Sequence, residues 1–258
     1  MFDTHVHTTF STDSKMNIEN ALKSAKKRGV ALILTEHMDI GYPNQGEFIF
    51  DTNKYFKSYS KFRGKNLLLG IEIGMKNDCI DESRIIVNSN PFDYVIGSIH
   101  LVDNLDLYYK DYYEGKSKKT AYLKYLNSML ENLKKFDFID SLGHIDYICR
   151  YAKYDDSELY YDEFSDIIDE IFKILISSGK CIELNTRRLK NKSSIDPLLK
   201  IYKRYRELGG KYITIGSDAH DEKSIGGNFS IAKEMASQCD LKIVYFKDRE
   251  IKYMSSYC

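Results

Sequence analysis

Short apolar runs alternate with longer amphipathic segments along the whole 258-residue chain, and this alternation limits the fold more than any other feature. The runs 1–7 (MFDTHVH), 30–37 (VALILTEH), 66–74 (NLLLGIEIG), 92–100 (FDYVIGSIH), 138–146 (FIDSLGHID), 180–186 (KCIELNT), 211–220 (KYITIGSDAH) and 241–246 (LKIVYF) read as strands. Between them, 17–29, 119–136, 160–179, 194–210 and 228–239 read as helices. In the first of these Ile18, Ala21, Leu22 and Ala25 share one face, and Gly29 stops it. Strands separated by helices pair in parallel. Seven or eight of them in a chain of this length predict a single-domain α/β barrel over 1–258, irregular in form. An open doubly wound sheet is the rival, but no GxGxxG loop supports it.

The chain has six histidines, and their placement follows the strands. His5 and His7 end the first run, His37 the second, His100 the fourth and His144 the next, while His220 closes the last long one. Glu72 and Asp218 lie at strand ends too. In an α/β barrel these ends converge on one face. His5 and His7 are two residues apart on a strand and point the same way, as do Asp218 and His220. Asp3 shares the face of the first pair and is expected to orient an imidazole. One histidine near a strand end is usually structural; all six converging is not.

Nitrogen and carboxylate donors without thiolates suit Zn²⁺, Mn²⁺ or Fe²⁺. Eight or nine candidate ligands exceed one site, so two or three divalent ions are expected. Such a cluster implies hydrolysis, most often of phosphate esters: the ions acidify a bridging water, clamp phosphoryl oxygens and stabilise the leaving alkoxide. No nucleophilic side chain is then needed.

Lysine plus arginine equals aspartate plus glutamate, 38 each, which argues against a nucleic-acid partner. No apolar run reaches the roughly 20 residues of a membrane span, and the Met-Phe-Asp start has no signal-peptide pattern. Five scattered cysteines, Cys79, Cys149, Cys181, Cys239 and Cys258, form no CxxC pair. They read as single thiols in a reducing cytosol, so a cytoplasmic protein is expected.

The blocks DTHVHTTFSTD, LTEH, GIEIG, IGSIH, GHID and GSDAH, in this order from residue 3 to residue 220, resemble the PHP (polymerase and histidinol phosphatase) family. The resemblance implies a distorted (β/α)7 TIM-like barrel with a trinuclear metal site. It implies that His5, His7, Glu72 and Asp218 hold one ion, that Glu72 bridges to a second with His100 and His144, and that Asp13, His37 and His220 hold the third. Aspartate at 13, with STDS, GHIDYICRY and ELNTRRLK, is similar to the monofunctional histidinol-phosphate phosphatase branch. The implied reaction is dephosphorylation of L-histidinol phosphate in histidine biosynthesis. The alternatives are another PHP-type phosphoesterase, acting on a nucleotide, a nucleic-acid end or phosphotyrosine, and a structural module without activity. No ligand position has degenerated as the last would require.

A small-molecule phosphomonoester wants guanidinium donors beside the metals. Arg150 follows one strand end, and Arg187 and Arg188 follow another. Neighbours in extended chain point opposite ways, so one of the latter pair is expected to face the site, and Arg188 is favoured. Asp218 and His220 are the candidates for proton transfer. In the expected mechanism a metal-bridging hydroxide attacks phosphorus in line and no phosphoenzyme forms. The tyrosine-rich segment 101–119 follows His100 directly; it reads equally as a lid or as a plain surface loop.

Overall fold

Branched apolar side chains fill strands that are covered on both faces, as parallel pairing requires. A computed structural model describes residues 1–253. Its strands are β1 (Phe2–Val6), β2 (Ala31–Met38), β3 (Leu67–Gly74), β4 (Tyr94–Ser98), β5 (Leu101–Val102), β6 (Leu105–Asp106), β7 (Ser141–Leu142), β8 (Cys181–Asn185), β9 (Tyr212–Gly216), β10 (Lys242–Lys247) and β11 (Glu250–Tyr253). Its helices are α1 (Ile18–Arg28), α2 (Thr52–Tyr59), α3 (Ile80–Asn88), α4 (Lys118–Leu133), α5 (Ser165–Ser177), α6 (Lys192–Glu207) and α7 (Phe229–Gln238). Strands β1, β2, β3, β4, β7, β8 and β9 run parallel in that order. The fold is an α/β barrel of seven parallel strands with helices outside.

Closure is uneven, and that is the distortion. The free edge of β9 serves two neighbours. Its first residues, Tyr212 and Ile213, pair with β10. Just past its other end Ala219 bridges to Val6, with His7 N–H donating to Ala219 O at 2.9 Å. Strand β10 thus wedges between β1 and β9 on the side away from the strand ends, and β11 pairs antiparallel outside it. Phe246 stacks on Tyr94 at 5.3 Å, and with Phe2, Ile33, Leu68, Ile96 and Val244 forms a small apolar floor. The larger core lies between the barrel and its helices.

Local signals explain the helix limits. Asn17 caps α1 by accepting from Asn20 N–H at 2.8 Å, and Gly29 ends it at φ +67°, a conformation free of strain only without a Cβ. Ser117 caps α4 in the same manner. The expected strand over 138–146 contracts to Ser141–Leu142, although Asp140 and Gly143 still bond to β4 on either side. The expected helix over 160–179 begins later, at Ser165, behind a single 3₁₀ turn. The helices α2 and α3, the β5–β6 hairpin and β11 carried too few periodic residues to be foreseen. Cys79, Cys149, Cys181 and Cys239 form no disulfide; Cys258 lies outside the described residues. Among the described residues no helix is long and apolar enough to cross a membrane.

Gly70 sits on β3 between β2 and β4: a Cβ there would lie 2.7 Å from Tyr94 O and 3.0 Å from Leu34 O. Backbone carbonyls cannot step aside as a side chain can. G70A is expected to cost about 1–3 kcal/mol of stability, read as a lower midpoint in urea or thermal unfolding.

Candidate metal centre

The site is built around one carboxylate. Glu72, on β3, is fully buried at the barrel's open end. Its Oε1 accepts from Ser98 Oγ at 2.6 Å and lies 3.0 Å from His144 Nε2 and 3.3 Å from His100 Nε2. Its Oε2 lies 2.8 Å from His37 Nδ1, 3.3 Å from His5 Nε2 and 3.5 Å from His7 Nε2. Five imidazoles therefore face one side chain. The sixth, His220, stacks on His7 at 4.2 Å, as does His37, and the Nε2 atoms of His37 and His220 lie 3.4 Å apart. Burial alone would raise the Glu72 carboxyl, but His5, His100 and His37 together hold it well below its usual range. Burial and the neighbours His220 and His37 keep His7 well below the usual imidazole value, leaving its lone pair free.

Asp218 forms the second wall. It follows β9 at φ +53°, a left-handed conformation that costs a residue with a Cβ and recurs at functional sites. Its Oδ1 lies 3.5 Å from His7 Nε2 and 3.8 Å from His5 Nε2. Asp13, half-exposed in the loop after β1, places Oδ2 3.0 Å from His220 Nε2 and Oδ1 3.7 Å from His37 Nε2.

Several of these atoms are buried without a hydrogen bond: His5 Nε2, His7 Nε2, His37 Nδ1, His100 Nε2, His144 Nδ1 and Glu72 Oε2. Buried polar atoms are rarely left so, because the desolvation is uncompensated. Nitrogen and carboxylate lone pairs aimed at each other fit a cation between them. His5, His7 and Glu72 can bring one donor atom each within 4.8 Å of the others, as can Glu72, His100 and His144, and His7, His37 and His220. The donor set fits divalent metal ions of the zinc, manganese or iron kind.

Behind the imidazoles stand acids that the pattern of the sequence did not disclose. Glu183 Oε1 meets His5 Nδ1 at 2.7 Å while Oε2 accepts from His144 N–H. Asp39 Oδ1 meets His100 Nδ1 at 2.8 Å. His7 Nδ1 meets Ser11 Oγ at 3.0 Å, and Ser11 donates to Glu36 at 2.7 Å. Glu183 sits in a strand of fully buried residues, and that was the available signal. Asp3, expected to orient an imidazole, does something else. It accepts from Ser217 N–H and Oγ and from Gly226 N–H, pinning the loop after β9. The register of β1 slips between Asp3 and Val6, which breaks the shared face assumed for it.

The arginines divide differently than expected. Arg150 Nη1 bonds to Asp218 Oδ2, while its buried Nε and Nη2 have no partner. Arg188 turns inward, donating to Asp146 Oδ2 at 2.8 Å and to both oxygens of Glu158 at 2.7 Å. Residues 187–190 form a turn, so extended alternation does not apply there. It is Arg187, half-exposed, whose Nη1 reaches Asp218 Oδ1 at 3.5 Å and His220 Nδ1 at 3.4 Å. Segment 101–119 opens with the β5–β6 hairpin and is then tied down by Tyr112 and Tyr113, both buried. Burial pushes the Cys149 and Cys181 thiols up to about 12, so neither is a ready thiolate.

The PHP domain family model matches residues 3–187. The chain is 51% identical over 98% of its length to a Clostridium acetobutylicum protein named "Probable histidinol-phosphatase", covering 99% of that protein. It is 30% identical over 86% of its length to the "Histidinol-phosphatase" of Lactococcus lactis, covering 84% of that protein. The crystal structure of the Lactococcus lactis histidinol phosphate phosphatase complexed with zinc, L-histidinol and phosphate superposes with a TM-score of 0.89. That match has 28% identity and covers 97% of this chain and 98% of the other.

Replacing Arg188 by methionine leaves Asp146 and Glu158 buried without their cation. R188M is expected to lose about 3–5 kcal/mol of stability, seen in urea denaturation, before any specific effect on catalysis.

Proposed function

The chain belongs to the PHP family, and on that premise we propose that it is a metal-dependent phosphomonoesterase that releases phosphate from L-histidinol phosphate in histidine biosynthesis. The observation that carries the reading is the convergence of unpartnered imidazole and carboxylate atoms on Glu72, beside an arginine with two free buried donors.

In this reading His5, His7, Glu72 and Asp218 hold one divalent ion, Glu72, His100 and His144 a second, and Asp13, His37 and His220 a third. The full complement is two or three ions of zinc, manganese or iron. When bound, such ions supply Lewis acidity toward phosphoryl oxygens and lower the pKa of a water. The remaining work falls to the protein. Arg150 turns its free Nε and Nη2 toward the phosphate, a charge-assisted, forked contact. Its guanidinium lies over the Tyr147 ring at 5.1 Å, which fixes its plane. Arg187, at the mouth, takes the second guanidinium role in place of Arg188. Asp218 and His220 stand where a proton returns to the departing alcohol oxygen. Glu183, Asp39 and the Ser11–Glu36 pair hold His5, His100 and His7 in one orientation, so little reorganisation is needed when substrate arrives.

The direct test is phosphate release from L-histidinol phosphate against a panel of phosphomonoesters, with and without added Mn²⁺ or Zn²⁺. A kcat/KM preference of about a hundredfold or more is expected. Metal-dependent release without that preference would discard the substrate and keep the chemistry. Changes to groups that merely orient a metal ligand cost about 10–100-fold in metal affinity or activity, so E72Q is expected to lose at least that much of both. Elemental analysis reads the first and phosphate release the second. Chelation is expected to lower Tm as well as activity, because the ions bind only the folded arrangement.

A further inference from the structure

Helix α4 carries, beside its apolar face, a polar one. Lys124, Asn127, Ser128, Glu131 and Asn132 recur at the three- and four-residue spacing of a single helix side. They form one wall of a cleft of about 340 Å³. The facing walls are the loop after β3, with Lys76, Asn77 and Asp78, and β5 with its turn, which brings Asp103. None of the residues that line the cleft is a candidate metal ligand. Its volume falls at the lower end of the range for small-molecule sites.

Two independent features point to a ligand. The first is a pair of amide oxygens. Asn132 is only 2% exposed, and its Nδ2 donates to Ser128 O at 2.8 Å, which fixes the orientation of the amide. Its Oδ1 is buried and accepts from nothing. Asn77 Oδ1, on the loop after β3, is buried in the same state. Buried acceptors without a donor are rare, and a merely solvated helix face does not create them.

The second feature is how the charges pair. Lys124 Nζ is held by Asp103 Oδ2 at 2.6 Å, and Lys76 Nζ donates to Gly41 O at 3.1 Å. Both lysines are thus engaged. Asp78 and Glu131 have no cation partner among the described residues. The cleft is left with acceptors and negative charge to satisfy, so an anion finds no welcome there. A bare metal ion fits poorly as well. Asp78, Asp103 and Glu131 do not come together as a metal-binding group among the described residues, and the space is far larger than an ion.

We propose that this cleft is a second ligand site, separate from the metal centre, for a small organic ammonium ion. The amide oxygens of Asn132 and Asn77 accept its N–H groups, and Asp78 and Glu131 balance its charge. Hydrogen bonds from a charged donor are the stronger kind, and they answer both deficits at once.

The test titrates the zinc-loaded full chain with butane-1,4-diammonium, with the neutral butane-1,4-diol and with Ca²⁺, followed by calorimetry and amide NMR. The diammonium ion is expected to bind with a Kd of about 1 mM or below, and the diol at least about tenfold more weakly. Shifted amides are expected in segments 75–78, 101–104 and 124–132, away from His5, His7 and Asp218. N132L is expected to weaken binding about tenfold. The double variant D78N/E131Q changes only exposed side chains, so it keeps the fold; it is expected to weaken binding about two- to fivefold. The proposal is overturned by equal binding of diol and diammonium, by no binding at about 20 mM, by a preference for Ca²⁺, by shifts centred on the histidines, or by wild-type affinity in D78N/E131Q. None of these outcomes depends on which ester the metal centre hydrolyses.

Discussion

Everything at the open end of the barrel is arranged around a single buried carboxylate. Glu72 is sealed from water and meets five imidazoles on its two oxygens. A carboxylate in that position would be costly alone, and so would the histidines without it. Each makes the other tolerable, and the donor atoms they leave unpartnered fit divalent cations. Their spacing is therefore a property of the barrel as a whole. Glu72 meets His37 and His100 from the two neighbouring strands, β2 and β4, and His5 and His144 from the strands beyond them.

The imidazoles are kept to one orientation by a second set of acids reached from other strands. Glu183 serves His5 through its ring and His144 through its backbone. Asp39 serves His100 and is itself tied to Phe48 through its N–H. The loop after β2 and the imidazoles thus share a support. A change in the loop that carries Phe48 reaches His37 directly and His100 through Asp39.

Much of this was legible in the residues. Strand positions and the clustering of all six histidines follow from short apolar runs that end in polar donors, and the barrel follows from their alternation with helices. The short α2 and α3 did not show, because eight or nine residues give barely two turns of periodicity. The arginine pair was misassigned because alternation holds only in extended chain, and residues 187–190 turn. Asp3 misled for a related reason, a slip in register after it. Glu183 and Asp39 stayed hidden because a buried acid on a strand carries no pattern of its own; only the atom it faces gives it meaning.

The shared edge of β9 bears on how the protein comes into being. The centre joins His5 and His7 to Asp218 and His220, and the contact that brings them together is the narrow seam between Val6 and Ala219. Those partners are separated by most of the chain, so the seam closes only at the cost of a very long loop. During synthesis, an emerging chain that has not yet exposed residue 220 carries the first histidines without their counterparts. Completion of the centre is thus a late event, and a divalent ion held between these two ends of the chain would act as a fastener across the seam.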